Sequence, residues 1–428
     1  MSNKIIRIPN KIIKDIKDYQ ILETEYGRIK YHQKLLDDTE KFILSKSKKS
    51  ISPYLKDKII YENKNIIERM VLSLLDSGKD INQLYKVKFT NKESVINNIF
   101  VKKAIEEYRD IIMAKHIPKH KALDIGKFTD TISKTILKAY DDYQKHLYIT
   151  SQKTDLSQTD KNITEIIDKD NHIEIHYRDY IKKISHQRYY NIHNNLVNND
   201  KITPIDFIRM ILRYGLTKDS GQQWALGYNL YKYLNKILDI NTEMFGSPLN
   251  FTLPYYCSLN LDTDEKMGSL GDFFELKNSK VFEKESKGAI FNPPYITSFM
   301  DEASIYLTQI LEKMRKENKK YIVICFVPEW TDANYMKILK NSKYTLHDKT
   351  LLKGEYIHSK KSIGKKMLVT RIESHIYMMH SFGNKLSSEE LEDLNIKFKR
   401  IVKFMKNEAD QMIYQKKSRK KSRNLFYA

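Results

Sequence analysis

Cysteine is nearly missing from this chain of 428 residues: Cys257 and Cys325 are the whole supply. Two thiols build neither a disulfide framework nor a four-cysteine zinc centre, and such sparing use fits a reducing compartment. Long apolar runs are missing too. No stretch approaches the ~20 residues that span a bilayer, and the opening MSNKIIRIPNKIIKDI lacks a signal-peptide core. The expectation is a soluble intracellular protein, of the nucleus or of a cytoplasmic factory such as a virus builds. Glycine (13) and proline (9) are scarce, so the places where they gather stand out. Negative charge is in deficit: 54 Asp and Glu face 75 Lys and Arg, a formal charge of +21. That excess favours a polyanionic partner, nucleic acid first; a solvated lysine-rich surface from AT-rich coding is the plainer explanation. With 41% hydrophobic residues the chain can bury two or three cores.

The texture changes along the chain. Residues 1–150 read as a helical N-terminal domain: YENKNIIERMVLSLLDSG, ESVINNIFVKKAIEEYRDIIMAKH and SKTILKAYDDYQKHL carry apolar residues at helical spacing. Residues 150–200 read as a linker or helical connection, opening with the polar TSQKTDLSQTDKN. From 201 to 400 short apolar runs alternate with helical segments. TPIDFIRMILRYGL opens with a capping Thr203 and first-turn Pro204. KGAIFNPPY, then the helical FMDEASIYLTQILEKMRKENKK, then the strand-like KKYIVICFVPEW make a βαβ unit and predict a mostly parallel sheet. KMLVTRIESHIYMMHSF is a source of late antiparallel strands. Residues 401–428 form a basic C-terminal tail, with KKSRKKSR read as a disordered end.

Gly288–Tyr295, GAIFNPPY, is where the chemistry gathers. Open α/β sheets hold ligands at the carboxyl ends of their strands. There Asn292-Pro293-Pro294-Tyr295 makes a stiff loop with few conformations to lose on binding. Prolines surrender their N–H groups and keep their carbonyls, so the loop offers acceptors: the Asn292 side-chain oxygen and the Pro293 carbonyl. Two acceptors and a flat neighbour suit an exocyclic amine on an aromatic base. The lone pair of adenine N6 is delocalised into the ring. Gripping its hydrogens favours a pyramidal nitrogen and stabilises the positive charge that develops on attack. Tyr295 would stack on the base, worth roughly 1–3 kcal/mol, once that base has left its own stack. A proline-rich turn after a core strand is the bland alternative. Upstream lie parts of a donor site: FGSPLN as a turn after a first strand, Asp262 and Asp264 for ribose hydroxyls, and Asp272-Phe273, an Asp-Phe pair read at a strand end, to bond and sandwich the adenine of S-adenosylmethionine.

The order of these pieces resembles the N6-adenine amino-methyltransferases. FGSPLNFTLPYYCSLNLDTDEKMGS, NPPY followed by FMDEA, and ICFVPEW together resemble the phosphorylated-CTD-interacting factor family over roughly residues 205–380. The resemblance implies a Rossmann-like S-adenosylmethionine-dependent domain that methylates N6 of the 2′-O-methyladenosine beside an mRNA cap. It places Asn292, Pro293, Pro294 and Tyr295 in the catalytic loop, where the family commonly has Phe in place of Tyr295. It puts Ser247, Pro248, Leu249 and Asn250 in the donor-side turn, Asp262 and Asp264 in the acidic pair, and Gly268 and Ser269 just after. Pro328, Glu329 and Trp330 match the end of the strand after the catalytic helix. Glu355, Tyr356, His358, Lys360 and Lys361 fall where the family has its substrate loop, with the lysines suited to a cap triphosphate. Family members that bind the polymerase tail do so through a WW domain built on two closely spaced tryptophans. Trp224 and Trp330 do not supply that, so no such binding is expected.

Glu329 reads equally as a pocket acid or a turn cap. His172, His176, His186 and His193 lack a carboxylate–histidine pattern, so solvated or packed histidines are expected and no metal is implied. No nucleophile elbow appears. Methylation of DNA adenine, or an inactive RNA-binding scaffold, remain the alternatives.

Overall fold

The computed structural model describes residues 5–6, 15–46, 125–153, 164–170, 172–186, 188–190, 192, 203–215, 225–295, 297–360, 366–370 and 372–426. Two compact units divide the chain: Met1–Lys183 with His193–Ser220, and Ile184–Ile192 with Gly221–Ala428. Two of the expected N-terminal helices, over 61–78 and 93–116, lie outside the described residues.

In the first unit, helix α1 (Ile16–Lys46) packs on α2 (Ile125–Ser151) and on α3 (Pro204–Arg213). The expected helix over 133–147 is the later part of α2. A four-stranded sheet accompanies them, in the order β1 (Ile5–Ile6), β2 (Thr164–Lys169), β3 (His172–Tyr177), β4 (Tyr180–Ile184). Residues 164–184, taken from the sequence as a connection, are therefore strands. The reason is period-two burial: Ile173, Ile175 and Tyr177 face inward while His172, Glu174 and His176 alternate with them. Helix α3 starts as its sequence dictates. Thr203 and Asp206 form a reciprocal capping box and Pro204 occupies the first turn. Its place differs from expectation, for it belongs to the first unit, where its Arg213 is fully buried against Glu25 of α1.

The second unit is an α/β structure around a mixed six-stranded sheet. Its members are β6 (Thr242–Glu243), β7 (Tyr255–Tyr256), β8 (Gly288–Phe291), β9 (Ile322–Pro328), β10 (Thr345–Leu351) and β13 (Ser374–His380). The order is β10-β13-β9-β8-β6-β7. β7, β6, β8 and β9 run parallel, while β13 is antiparallel to both β9 and β10. The central strands are buried throughout, which is why GAIF and IVICFV read as unbroken apolar runs. Helix α7 (Thr297–Lys316) crosses from β8 to β9 and buries Met300, Ala303, Leu307, Ile310 and Leu311. Helix α4 (Tyr228–Leu238) buries Leu230, Tyr231, Leu234 and Leu238. A small sheet, β12 (Lys366–Val369), β11 (Ile357–Lys360), β5 (Ala225–Leu226), completes the unit. Short helices α5 (Leu261–Asp264), α6 (Lys280–Glu285) and α8 (Asn334–Lys340) lie between strands. The stretch read as a free basic tail is instead the second half of a long helix, α9 (Ser388–Phe426), anchored by Leu394, Phe398, Ile401 and Met405. Among the described residues no helix is long and apolar enough to cross a membrane.

Candidate functional site

From β6 the chain moves to β7 on one side, then returns to β8 on the other. Strand order therefore reverses between β6 and β8, and in open α/β sheets ligands sit in the crevice outside the carboxyl ends at such a point. Two loops emerge there, residues 244–252 and 292–295. Phe245 of the first packs edge-on against Phe291, the last residue of β8, at 5.3 Å.

The first loop is tightly built. Gly246 donates to the Cys257 carbonyl at 2.8 Å, and a Cβ at Gly246 would meet Tyr256 at 2.8 Å, so only glycine lets the loop lie this close to β7. Ser247, Pro248 and Leu249 are buried, and the amides of Asn250 and Phe251 both donate to the Ser247 carbonyl at 3.0 Å. Ser247 Oγ and Asn260 Oδ1 are buried without a hydrogen-bond partner among the described residues. Such orphans call for a ligand or water. Two supports escaped the sequence reading. Glu243, the last residue of β6, is buried and accepts from the Thr252 and Leu253 amides. Arg188 lies 4.7 Å over the Phe251 ring and donates to the Phe251 carbonyl. Burial pulls the Arg188 pKa down while the Glu243 charge opposes this. No motif announces a lone Glu at a strand end, or an Arg some sixty positions upstream of its partner.

The other predicted donor-side residues are placed unevenly. Asp264 is fully buried and accepts from Thr263 Oγ1 at 2.9 Å, whereas Asp262, two positions earlier on α5, is exposed. The acidic pair is thus split between two environments. Gly268 has φ of +92°, the left-handed region a turn requires of glycine, and Ser269 Oγ accepts from Ser258 at 2.8 Å. Asp272 and Phe273 do not end a strand, as the sequence reading expected. Asp272 caps a 3-10 turn over Phe273–Asn278 by accepting from the Phe274 amide at 2.7 Å. Phe273 is buried in an aromatic cluster with Phe245, Phe291 and Tyr306.

In the second loop Pro293 is buried, and Asn292, Pro294 and Tyr295 are half-buried. The Tyr295 hydroxyl lies 3.4 Å from Asn292 Oδ1. Desolvation by burial, with Tyr356 as a lesser cause, pushes the Tyr295 phenol well up. Tyr356 is buried, its hydroxyl 2.5 Å from Ser374 Oγ and 3.1 Å from His358 Nε2. The His358 ring stands edge-on to Tyr295 at 6.4 Å, and burial depresses its pKa to about 4, so it is neutral. Tyr356 and His358 therefore do lie beside the Asn292–Tyr295 loop. Ser374, at the start of β13 opposite Pro328, was not foreseen; a lone serine before a strand carries no signal.

Glu329 leaves the end of β9 and is bonded by His375 Nδ1 at 2.6 Å, while His375 Nε2 reaches Asp348 at 2.8 Å. Trp330 is 41% exposed beside Tyr335. Glu355 stands apart, paired with Lys406 at 2.7 Å and capping the Leu352 amide. Lys360 ends β11, and Lys361 lies outside the described residues, as do Trp224 and His193. His172 and His176 both bond Glu174 at 3.1 Å; these bonds and Lys183 hold its carboxyl down at about 2. Among the described residues no group of three or more His, Cys, Asp or Glu is placed to hold a metal ion.

A family model described as the phosphorylated CTD interacting factor 1 WW domain matches residues 186–360. In this chain that span includes Arg188, β5 to β11 and both crevice loops. The mRNA (2′-O-methyladenosine-N(6)-)-methyltransferases of Homo sapiens and Mus musculus are each 29% identical over 178 residues. The match covers 40% of this chain and 23% of each relative, so the chain spans about a quarter of the length of the curated relatives it matches. Residues 186–360 are thus similar to the phosphorylated CTD interacting factor 1 family, and both loops of the switch-point crevice lie within that match.

Proposed function

We propose that the second unit is a Rossmann-like methyltransferase domain that transfers a methyl group from S-adenosylmethionine to N6 of adenosine in RNA, most specifically the 2′-O-methyladenosine next to an mRNA cap. The observation that carries this reading is the emergence of Asn292-Pro293-Pro294-Tyr295 at the carboxyl end of β8, across the switch point from the Ser247–Asn250 turn. The names of the human and mouse relatives support the substrate.

The residues on the β6 and β7 side suit a methyl donor rich in hydroxyl, amino and carboxylate groups. Ser247 Oγ and Asn260 Oδ1 are the buried polar atoms awaiting partners there, and Asp264 is a buried carboxylate beside them in sequence. When bound, S-adenosylmethionine supplies an electrophilic methyl group on sulfur. The chain's own work is on the acceptor. Asn292 Oδ1 and the Pro293 carbonyl accept from the two N6 hydrogens, which turns the nitrogen lone pair out of conjugation and stabilises the charge that grows on it. The Tyr295 ring holds the base plane. Two prolines keep both acceptors in place before substrate arrives. The N6 amine is itself the nucleophile and then loses its surplus proton to water, so the step needs neither a nucleophile from the chain nor a metal.

The test is purified protein with labelled S-adenosylmethionine and three acceptors: capped RNA beginning with 2′-O-methyladenosine, the same RNA uncapped, and duplex DNA. Label on capped RNA alone, lost in Asn292→Ala, is the expected result. Equal labelling of uncapped RNA removes the cap preference, label on DNA alone replaces the substrate, and label on none makes the domain a binding scaffold.

A further inference from the structure

We propose that the second half of α9, together with the groove it shares with α4, is a track for the single-stranded body of the RNA substrate, gripping phosphates and unpaired bases beyond the nucleotide held in the crevice. The track deepens the methyltransferase reading and rests on it for the identity of the RNA.

The course of α9 brings this surface to the same edge as the crevice. Near its start Glu390 pairs with Lys320, just before β9 begins. Farther along, Lys406 pairs with Glu355 at 2.7 Å, and Glu408 accepts from Asn229 at 2.7 Å. Glu355 follows the end of β10, whose Leu351 is in register with Ser374, itself opposite Pro328 at the end of β9. The helix thus climbs from the amino edge of the parallel strands to their carboxyl edge, where residues 292–295 emerge. Residues 409–426 continue past that edge for about 27 Å, at 1.5 Å per residue. Beyond Ala409 none of the described side chains is buried, and Tyr414 is 74% exposed.

Charge is graded along the same axis. Glu389, Glu390, Glu392 and Asp393 open the helix; from Lys397 onward eleven Lys and Arg face two acids, Glu408 and Asp410. Complementing the helix dipole accounts only for charges in the first and last turns. Six of the cations fall within residues 416–423, where Lys416 and Lys420, Lys417 and Lys421, and Arg419 and Arg423 are spaced four apart. Like charges at that spacing destabilise a bare helix, and phosphates neutralise them.

The groove between α4 and α9 supplies flat surface. It encloses about 480 Å³. Tyr233 and Phe404 line it, half-buried and stacked at 4.3 Å with their planes 3° apart. Lys232 and Lys236, one turn apart on α4, are exposed on its wall. Glu408 is its one acid; Asn229 occupies one oxygen, and burial raises the carboxyl pKa, so it repels a phosphate less than a free carboxylate would. Rings flanked by lysines suit unpaired bases and their phosphates. An apolar peptide would need aliphatic walls, which the groove lacks. The groove also starts close to the crevice. Helix α4 begins two residues after Leu226, the cross-strand neighbour of His358, whose ring stands 6.4 Å from that of Tyr295.

Two capped RNAs with the same 5′ end separate the track from the crevice: a trinucleotide, and one of about twenty nucleotides, longer than the ~4–16 that a single-strand site covers. Methyl-transfer kinetics, and Kd by fluorescence anisotropy over a salt series, are measured for wild type, K416Q/K417Q/R419Q/K420Q/K421Q/R423Q and K232Q/K236Q. Glutamine keeps the helix propensity of lysine and arginine, and circular dichroism checks that the helix persists. Wild type should bind the long RNA about tenfold or more tightly than the trinucleotide. The sixfold variant should lose most of that advantage with kcat within roughly twofold, and its log K against log[salt] slope should flatten by about 2, three phosphate contacts at ~0.7 each. K232Q/K236Q should weaken long-RNA binding about threefold and flatten the slope by roughly 1. Equal wild-type affinity for both RNAs would overturn the proposal. So would a sixfold variant with wild-type affinity and slope, the result expected if a protein docks there. An equal loss for the trinucleotide would put the cations at the crevice and defeat the track, and wild-type values for K232Q/K236Q would defeat it as a surface shared with α4. Binding needs no turnover: a protein that methylates nothing yet shows these length and salt dependences would fail the methyltransferase reading and leave the RNA track standing.

Discussion

The two units differ in where their described buried polar groups gather. In the first, two buried carboxylates are densely paired. Glu25 takes Arg213 at 2.6 and 2.8 Å, Arg28 at 3.1 Å and Arg209 at 3.4 Å, while Glu23 takes Arg178 at 2.6 Å and Tyr177 at 2.8 Å. Burial pushes the Glu25 carboxyl up, but its arginines outweigh that and hold it below the ordinary value. In the second unit the core strands are apolar, and Ser247 Oγ and Asn260 Oδ1 near the switch point are buried without hydrogen-bond partners among the described residues. Densely paired carboxylates fix the packing of the helices that carry them. An unsaturated edge costs stability and is kept for something that binds.

The comparison can be broken in order of effect. Removing Arg213 should be the most damaging change to stability. Arg213→Ala leaves Glu25 buried with too little compensation and should cost about 3–5 kcal/mol in urea unfolding, with Glu25→Gln/Arg213→Met recovering part of it. Asn292→Ala should do the reverse: transfer falls about 10²–10³-fold while unfolding moves by less than about 0.5 kcal/mol. A pH series should separate the units next. His358 and His380 are buried with pKa pushed down to about 4 from 6.5, so below pH 6.5 the unfolded chain binds protons that the folded one refuses. Their stabilisation is complete above pH 6.5 and declines as pH falls toward 4, by up to about 1.4 kcal/mol per pH unit for each group. Carboxylates held below their ordinary values, Glu25 among them, lose theirs only at lower pH, so urea midpoints at pH 7.5 and 5.5 isolate the histidines. Ser247→Ala and Asn260→Ala should raise KM for the methyl donor roughly tenfold, one hydrogen bond each, and leave the fold intact. Glu355→Gln should do least: its pair with Lys406 is a partly exposed ion pair, worth about 0–1 kcal/mol, and transfer should stay within twofold.

Legibility in the sequence followed the range of the interaction. Helices α3 and α7 and the run β8-α7-β9 were readable because capping, burial period and strand composition are local. The position of the NPPY loop was readable because two prolines after an apolar run end a strand by themselves. The β-strands over 164–184 were missed for a different reason: the alternation of Ile173, Ile175 and Tyr177 is short, and histidines between them invited a metal question. Asp272 and Phe273 were read as a strand end from two residue types alone, and the Asp272 cap shows how little such a pair specifies. Glu355, Tyr356 and His358 looked alike in a loose alignment; only the fold sends Glu355 to Lys406 and the other two behind Tyr295.

The sequence by itself determined a basic chain with few thiols, a parallel βαβ core, and a proline-stiffened loop at the end of a buried strand. These follow from backbone restriction, side-chain period and the donors and acceptors each residue carries. Tertiary structure alone decided that α3 joins the first unit, that strand order reverses between β6 and β8, and that the His358 ring stands edge-on to Tyr295. Those outcomes depend on which distant segments share a surface, and hydrogen bonds and burial reward that choice only after the chain has closed on itself.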